Sequence, residues 1–298
     1  VAVVKPAVFD YAAPRSLEEA VGLLAEHGLD AKVLAGGQSL MPLLNMRLAR
    51  PALVVDVARI PGLDFIRKSG DGLVIGAMTR QRTVEFSPQV RETLPVLHAA
   101  TLYVAHPQNR NQGTLCGSLA HADPAAEYPA LAVALGARLK AVGAEGERTI
   151  DAEQFFLTYL TTALDPTEMV TEVLLPALPE RTGWSVLELS RRHGDYALAG
   201  VVATMSLDRG GACVGARLVL FGVGATPLRV RAAEQALIGA KPSETRIAEV
   251  AEMAASAIDE PLSDVHASGE QRRDLAGTLA RRALVQAHDR ARELLSHA

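Results

Sequence analysis

The sequence predicts an α+β protein of more than one domain. Three observations carry this reading. A capped helix near the N-terminus runs directly into a short apolar strand. Pro176 and Pro179, in the stretch LPALPERTG (175–183), mark a change in composition and a domain boundary. Beyond it, three strand-like segments are followed by three helical ones. At 298 residues the chain is also long for one compact core, so two or three domains are expected.

The elements follow in order. SLEEAVGLLAEHG (16–28) is a helix: Ser16 and Glu19 make a capping box, and Leu17, Ala20, Val21, Leu24 and Ala25 form the apolar stripe. Gly28 ends it. KVLA (32–35) is a strand leading into Gly36-Gly37, and ALVVDV (52–57) is another. GDGLVIGAMT (70–79) is a turn and strand, and a helix is expected over much of 89–103. AHPQNRNQGTLCGS (105–118) has little period and many Asn, Gln and Gly residues, so it is expected to be a long functional loop. DPAAEYPALAVALG (123–136) is expected to be a helix with Asp123 as N-cap and Pro124 at its first position. Alternating segments at 184–191, 198–208 and 212–221 predict an antiparallel sheet. Helices are expected near 229–239, 243–257 and 270–296, with Arg272, Arg273, Arg281 and Arg282 on a solvated or subunit-facing surface.

Composition narrows the function. A formal net charge of −4 supplies no basic field, which disfavours nucleic acid as a partner. No apolar run approaches the roughly 20 residues of a membrane helix. VAVVKPAVFDYAAP at the start lacks the charged beginning and small-residue cleavage site of a signal peptide. Two cysteines, Cys116 and Cys213, make neither a disulfide framework nor a four-cysteine metal site, so a reduced, cytoplasmic setting is expected.

AGGQS (35–39) admits two readings. Gly-Gly after a strand is a turn that tolerates positive φ, or it is a cradle of amides for phosphate oxygens. NQGTLCGSLAHADP (111–124) again sets glycines beside small hydroxyl residues, Thr114 and Ser118, and two such loops suit the two phosphates of a dinucleotide. Neither loop is G-x-G-x-x-G after a first strand, and no G-x-x-x-x-G-K-[ST] occurs, which disfavours a Rossmann NAD domain and a P-loop NTPase. GVGATP (222–227) is read as a turn. His106, His121 and Asp123 lack helical metal-ligand spacing and a third ligand. Cys116 has no evident partner base, Cys213 reads as a core thiol, and GTLCGSLAH lacks the G-x-S-x-G of a nucleophile elbow. Arg191 and Arg192 are expected at the surface, and Tyr196 is either core or a cofactor contact.

Together FDYAAPRSLEEAVGLLAEHG, AGGQSL, NMRLARPALVVDVARIPGL, IGAMT, RNQGTLCGSLAHADPAAEYPA, FFLTYLTTAL, EVLLP and RRHGDYALAG resemble the FAD-binding medium subunit of the molybdenum hydroxylases, the xanthine dehydrogenase and carbon monoxide dehydrogenase group. The resemblance covers nearly the whole chain, including DVHASGEQRRDLAGTLARRAL near its end. It implies an FAD-binding domain of the vanillyl-alcohol-oxidase type over residues 1–176, in two α+β subdomains meeting near residue 58. A C-terminal domain over 177–298, of antiparallel sheet and helix bundle, follows.

The resemblance also assigns residues. Ala35, Gly36, Gly37, Gln38 and Ser39, with Leu40, would hold the FAD pyrophosphate, and Lys32, Val33 and Leu34 would line the approach. Thr114, Leu115, Cys116, Gly117 and Ser118 would form the opposite wall. Asp123 would contact the ribityl or adenosine portion, Thr79 and Ala105 would line the cleft, and Tyr196 would cover one face of the isoalloxazine ring. Many relatives have Gly-Gly where this chain has Cys116-Gly117, so an ordinary backbone is expected at Cys116. Two scattered cysteines exclude the extra iron–sulfur cluster of one branch.

The implied function is electron transfer. Electrons would leave a molybdopterin-containing large subunit, cross two [2Fe–2S] clusters of a small subunit, reach FAD here, and pass to NAD, a quinone or oxygen. A dimer of heterotrimers is expected, cytoplasmic or held at the inner face of the membrane through the complex. No residue of this chain need act as a general acid or base. The competing readings are a flavin-free structural subunit of such a complex and a stand-alone flavin oxidase of the vanillyl-alcohol type.

Overall fold

The structure, a computed structural model, describes residues 5–70 and 72–296. The first four residues of the segment read for a leader, and Asp71 in the expected turn, lie outside them.

The N-terminal part is a parallel sheet with helices. Strands β1 (Asp10–Ala12), β2 (Ala31–Leu34) and β3 (Leu53–Asp56) lie in the order β1-β3-β2, all parallel. Helix α1 (Leu17–His27) makes the first crossover. The Ser16 side chain accepts from the Glu19 amide at 3.1 Å, Gly28 closes the helix at φ +51°, and Ala20, Val21 and Leu24 are buried on the sheet. Strand β2 feeds α2 (Leu40–Asn45) through residues 35–39. The Gly-Gly loop therefore lies at the carboxyl end of a parallel strand, where open α/β sheets bind ligands.

A second sheet follows, in the order β4-β5-β10-β6-β7 and antiparallel throughout. Its strands are β4 (Ile66–Ser69), β5 (Gly72–Gly76), β6 (Arg138–Gly143), β7 (Gly146–Asp151) and β10 (Met169–Leu175). Between β5 and β6 run six helices: α3 (Gln81–Phe86), α4 (Pro88–Thr93), α5 (Pro95–Tyr103), α6 (Pro107–Gln112), α7 (Leu115–His121) and α8 (Glu127–Leu135). After β7, the short α9 (Ala152–Phe155) leads to a small hairpin, β8 (Phe156–Thr158) with β9 (Thr161–Thr162).

Three expectations are corrected in the helical region. The single helix over 89–103 is two helices, because Pro95 cannot donate into the preceding turn and Leu94 leaves helical geometry at φ −143°, ψ 65°. The expected loop 105–118 is mostly helical. Pro107 starts α6, and the Thr114 hydroxyl, accepting from the Gly117 amide at 3.0 Å, caps α7. The polar sequence of α6 hid it, since only Arg110 among its residues is buried. Asp123 is not the cap of α8. Its Oδ1 accepts from the Ala125 amide at 2.9 Å in a tight turn, and the helix begins four residues later.

The C-terminal part is a four-stranded antiparallel sheet in sequence order: β11 (Thr182–Ser190), β12 (Ala197–Leu207), β13 (Cys213–Phe221) and β14 (Leu228–Arg229). Helices α10 (Arg231–Leu237), α11 (Glu244–Ser256) and α12 (Gly269–Ser296) cover one face. The expected alternation fails on β12, which is buried almost throughout. Val201, Ala203 and Met205 pack with the C-terminal helices, while Val202, with Val219 and Phe221 of β13, joins the core of the second sheet and its helices. A strand covered on both faces loses the polar half of its pattern. GVGATP is a turn, as read, and Cys213 is fully buried.

Arg272 is another correction. It is 4% exposed rather than solvated, donating to the carbonyls of Leu198 (2.6 Å) and Gly222 (2.8 Å) and pairing with Asp264 at 2.6 Å. It fixes the start of α12 to the end of β12 that leads toward Tyr196. Arg281 and Arg282 are exposed, as expected.

Candidate functional site

The two glycine-bearing segments meet. A Cβ on Gly36 would lie 2.4 Å from the Gln112 carbonyl oxygen and 2.7 Å from the Gly113 Cα, so only glycine allows the approach. A Cβ on Gly117 would stand 3.7 Å from that of Ala35. Asn109 donates to Gln38 Oε1 at 3.0 Å, and Gln38 donates to the Gly36 carbonyl at 3.2 Å. Gly37 has φ +71°, and among the described residues no backbone acceptor is recorded for the amides of Gly36, Gly37, Gln38 and Ser39. Four amides without a backbone acceptor on a half-buried turn are donors available to an anion such as phosphate.

The second wall is fixed from behind. The Leu115 amide donates to the Thr79 carbonyl at 3.3 Å, and the Gln81 amide to the Gly113 carbonyl at 2.8 Å. Arg80 Nη1 donates to the Gln112 carbonyl. Thr79 is itself fully buried, its hydroxyl engaged by the Phe65 backbone at 2.9 and 3.0 Å. The expectation that Thr79 lines the cleft is corrected: it anchors the wall. Leu115 and Cys116 turn their side chains into the core, at 1% and 2% exposure, and offer the cleft only backbone. Gly117 and Ser118 are half-buried and face outward. Cys116 lies in helical backbone with ordinary φ, as expected. Burial pushes its thiol far above the usual range, which removes it as a nucleophile.

The C-terminal part closes the third side. Gly194, at φ +88°, packs on His106 and Ala105: a Cβ there would meet the His106 ring at 2.6 Å and the Ala105 carbonyl at 3.0 Å. That contact seats the loop after β11 and carries Tyr196 to the cleft. Tyr196 is 60% exposed, yet its phenol is pushed up to about 12, first by surrounding protein and then by Asp123 and Glu127, with the Ser39 hydroxyl pulling the other way. Tyr196 therefore lies close to Ser39 of the first loop and Asp123 beyond the second while remaining more than half exposed. Tyr159, at the tip of the β8–β9 hairpin, is likewise raised by burial, Asp123 and Asp264. Lys32 is exposed on β2, with Val33, Leu34 and Leu40 half-buried around the loop.

Two features were missed from sequence. Glu127 is 7% exposed at the start of α8, and burial raises its carboxyl to about 7. The signal was an acid opening an otherwise wholly apolar helix. Arg110 and Glu85 make a buried pair, Nε to Oε2 at 2.9 Å, and Arg110 also donates to the Val104 (2.8 Å) and Ala105 (3.1 Å) carbonyls. No metal-holding cluster of His, Cys, Asp or Glu exists among the described residues. Burial lowers the His121 pKa, so that imidazole is neutral at pH 7.

A turn of unpaired amides, an opposing wall pressed to glycine contact, and a largely exposed tyrosine beside them suit a dinucleotide site of the non-Rossmann flavoprotein kind. Comparison with known proteins agrees. Residues 7–178 match the family described as FAD binding domain in molybdopterin dehydrogenase, and 184–287 match the CO dehydrogenase flavoprotein C-terminal domain. The chain is 44% identical over 288 residues to the 6-hydroxypseudooxynicotine dehydrogenase complex subunit alpha of Paenarthrobacter nicotinovorans, covering 97% of each. It is 39% identical to the carbon monoxide dehydrogenase medium chain of Hydrogenophaga pseudoflava, covering 94% of this chain and 96% of that one. In the solved carbon monoxide dehydrogenase from that organism, the matching chain superposes with a TM-score of 0.92 at 40% identity, covering 96% of this chain and 99% of that one. This chain belongs to the FAD-binding medium subunits of the molybdenum hydroxylases.

Proposed function

We propose that the chain is the flavin relay of a heterotrimeric molybdenum hydroxylase, holding FAD between the loop 35–39 and the segment 113–118. The observation that carries this reading is the contact of those two segments at Gly36, which creates one amide-lined cleft from pieces far apart in sequence. Bound FAD would supply the redox chemistry. The residues present fit it: the amides of Gly36 to Ser39 would neutralise pyrophosphate charge, Ser118 and Gly117 would close the other side, and the Tyr196 ring would face the isoalloxazine. Asp123 and Glu127 stand near the Tyr196 phenol and set the electrostatics of that end. The ends of the first and second sheets, at Asp56 and Leu175, support a domain division at about 58 and 176.

Electrons would arrive from [2Fe–2S] clusters of a small subunit, themselves fed by the molybdopterin centre of a large one, and leave to NAD, a quinone or oxygen. The expected assembly is a dimer of heterotrimers in the cytoplasm. No described helix is long and apolar enough to cross a membrane. Relatives bear names as different as caffeine dehydrogenase and carbon monoxide dehydrogenase, and we assign the choice of substrate to the large subunit. Gly37→Asp tests the cradle. The substitution is strained at φ +71° and puts a carboxylate beside the phosphate amides. Flavin-free but folded protein is expected; full flavin occupancy would refute the reading.

A further inference from the structure

A second cavity, of about 400 Å³, opens where α5 meets β11 and α12, with His193 of the loop after β11 on its wall. Its apolar walls are Leu102, Tyr103 and Trp184, and its polar groups are His193, Gln286 and Arg290. The alternation of β11 turns Trp184, Val186 and Glu188 to one face.

The polar groups are held in a defined state. Ser185 donates to Gln286 Oε1 at 2.8 Å, which leaves the Gln286 amide nitrogen free to donate. Arg290 lies over the Trp184 ring at 3.9 Å and donates Nη1 to the Trp184 carbonyl at 2.5 Å. Neither contact neutralises its charge, and among the described residues Arg290 has no carboxylate partner. Glu188, farther along the same face, has a buried Oε2 with no hydrogen-bond partner. Burial, then the Glu127 charge, raises its carboxyl to about 9, so it stays protonated at neutral pH and does not compete for the guanidinium.

We propose that this cavity binds a small planar aromatic carboxylate, its ring against Trp184 and the apolar walls, its carboxylate on the Arg290 guanidinium and the Gln286 amide. A half-buried guanidinium fork on an aromatic floor recognises an acid with a ring better than either fragment alone. The site joins the FAD-binding part to the C-terminal part, so its occupant would fasten the two together. The inference stands apart from the flavin reading and is tested on flavin-loaded and flavin-free full-length chain alike.

Trp184 is the single tryptophan of the chain, so its fluorescence reports on this cavity directly. Titration with benzoate is expected to give a saturable change, with one-to-one stoichiometry by calorimetry, and benzyl alcohol is expected to bind at least about tenfold more weakly. Arg290→Gln and Leu102→Glu, the second at a position 43% exposed, should each weaken benzoate by about tenfold or more while circular dichroism stays unchanged. If Arg290→Gln does not fold, Leu102→Glu carries the comparison. Three results would overturn the proposal: no saturable change, equal binding of benzyl alcohol, or unaltered benzoate binding in the variants. So would loss of benzoate binding and shielding of Trp184 upon assembly with the partner subunits, which would make the cavity a subunit seat.

Discussion

Gly36→Ala is the smallest change that separates the two walls of the flavin cleft. The added methyl would stand 2.4 Å from the Gln112 carbonyl oxygen, whereas ordinary contact begins at 3.4 Å, so the walls must part by about 1 Å. Both neighbours are backbone, held by the Arg80 contact to Gln112 and the Gln81 bond to Gly113, and no flexible side chain can yield. Overpacking of this kind costs roughly 1–3 kcal/mol. If the loss falls on the bound geometry, flavin affinity drops by about 5- to 150-fold. Gly22→Ala is the control: its Cβ meets nothing within 4 Å in the middle of α1, and alanine there stabilises by about 1 kcal/mol. Flavin fluorescence titration of apoprotein reads affinity, and thermal unfolding reads stability. The reasoning is refuted if Gly36→Ala binds flavin like the parent, or if Gly22→Ala loses flavin equally.

Two further predictions concern buried charge. Arg110→Met leaves Glu85 with only the more exposed Arg82, at 3.6 Å, and frees the Val104 and Ala105 carbonyls; it should cost up to about 3–5 kcal/mol, and adding Glu85→Leu should recover much of that. Denaturant unfolding of the single and double variants checks this, and an equal loss in both would contradict it. Glu127 has its folded pKa raised from 4.5 to about 7, so its contribution to stability is full below about pH 4.5 and is lost as pH rises through about 7. Relative to wild type, Glu127→Gln should therefore gain up to about 3 kcal/mol on going from pH 4.5 to pH 8. A stability difference independent of pH would refute the assignment.

Much of the architecture could be read from the chain because local signals agreed with tertiary ones. Ser16, Glu19 and Gly28 bounded α1, and Pro176 and Pro179 marked the end of the second sheet, both from side chains whose preferences are intrinsic. The failures share a cause. Helix α6 has no apolar stripe because it lies on the surface and buries only its own Arg110, and β12 has no polar face because both sides are covered. Neither context is visible to periodicity. The Gly36 loop could be located but not interpreted alone, since its partner wall is more than seventy residues away. Thr79 looked like a cleft residue until its hydroxyl was found on Phe65. Glu127 and Arg110 were hidden because burial of a charged side chain depends on packing that local sequence does not encode.

The central claim is that the cleft between Gly36 and Gly117 holds the relay cofactor. The direct measurement is flavin content and visible spectrum of the chain purified with its partner subunits. The account predicts one FAD per chain, released by Gly37→Asp without loss of fold. A folded, fully assembled complex that carries no flavin after reconstitution, or one whose flavin survives Gly37→Asp, would contradict it.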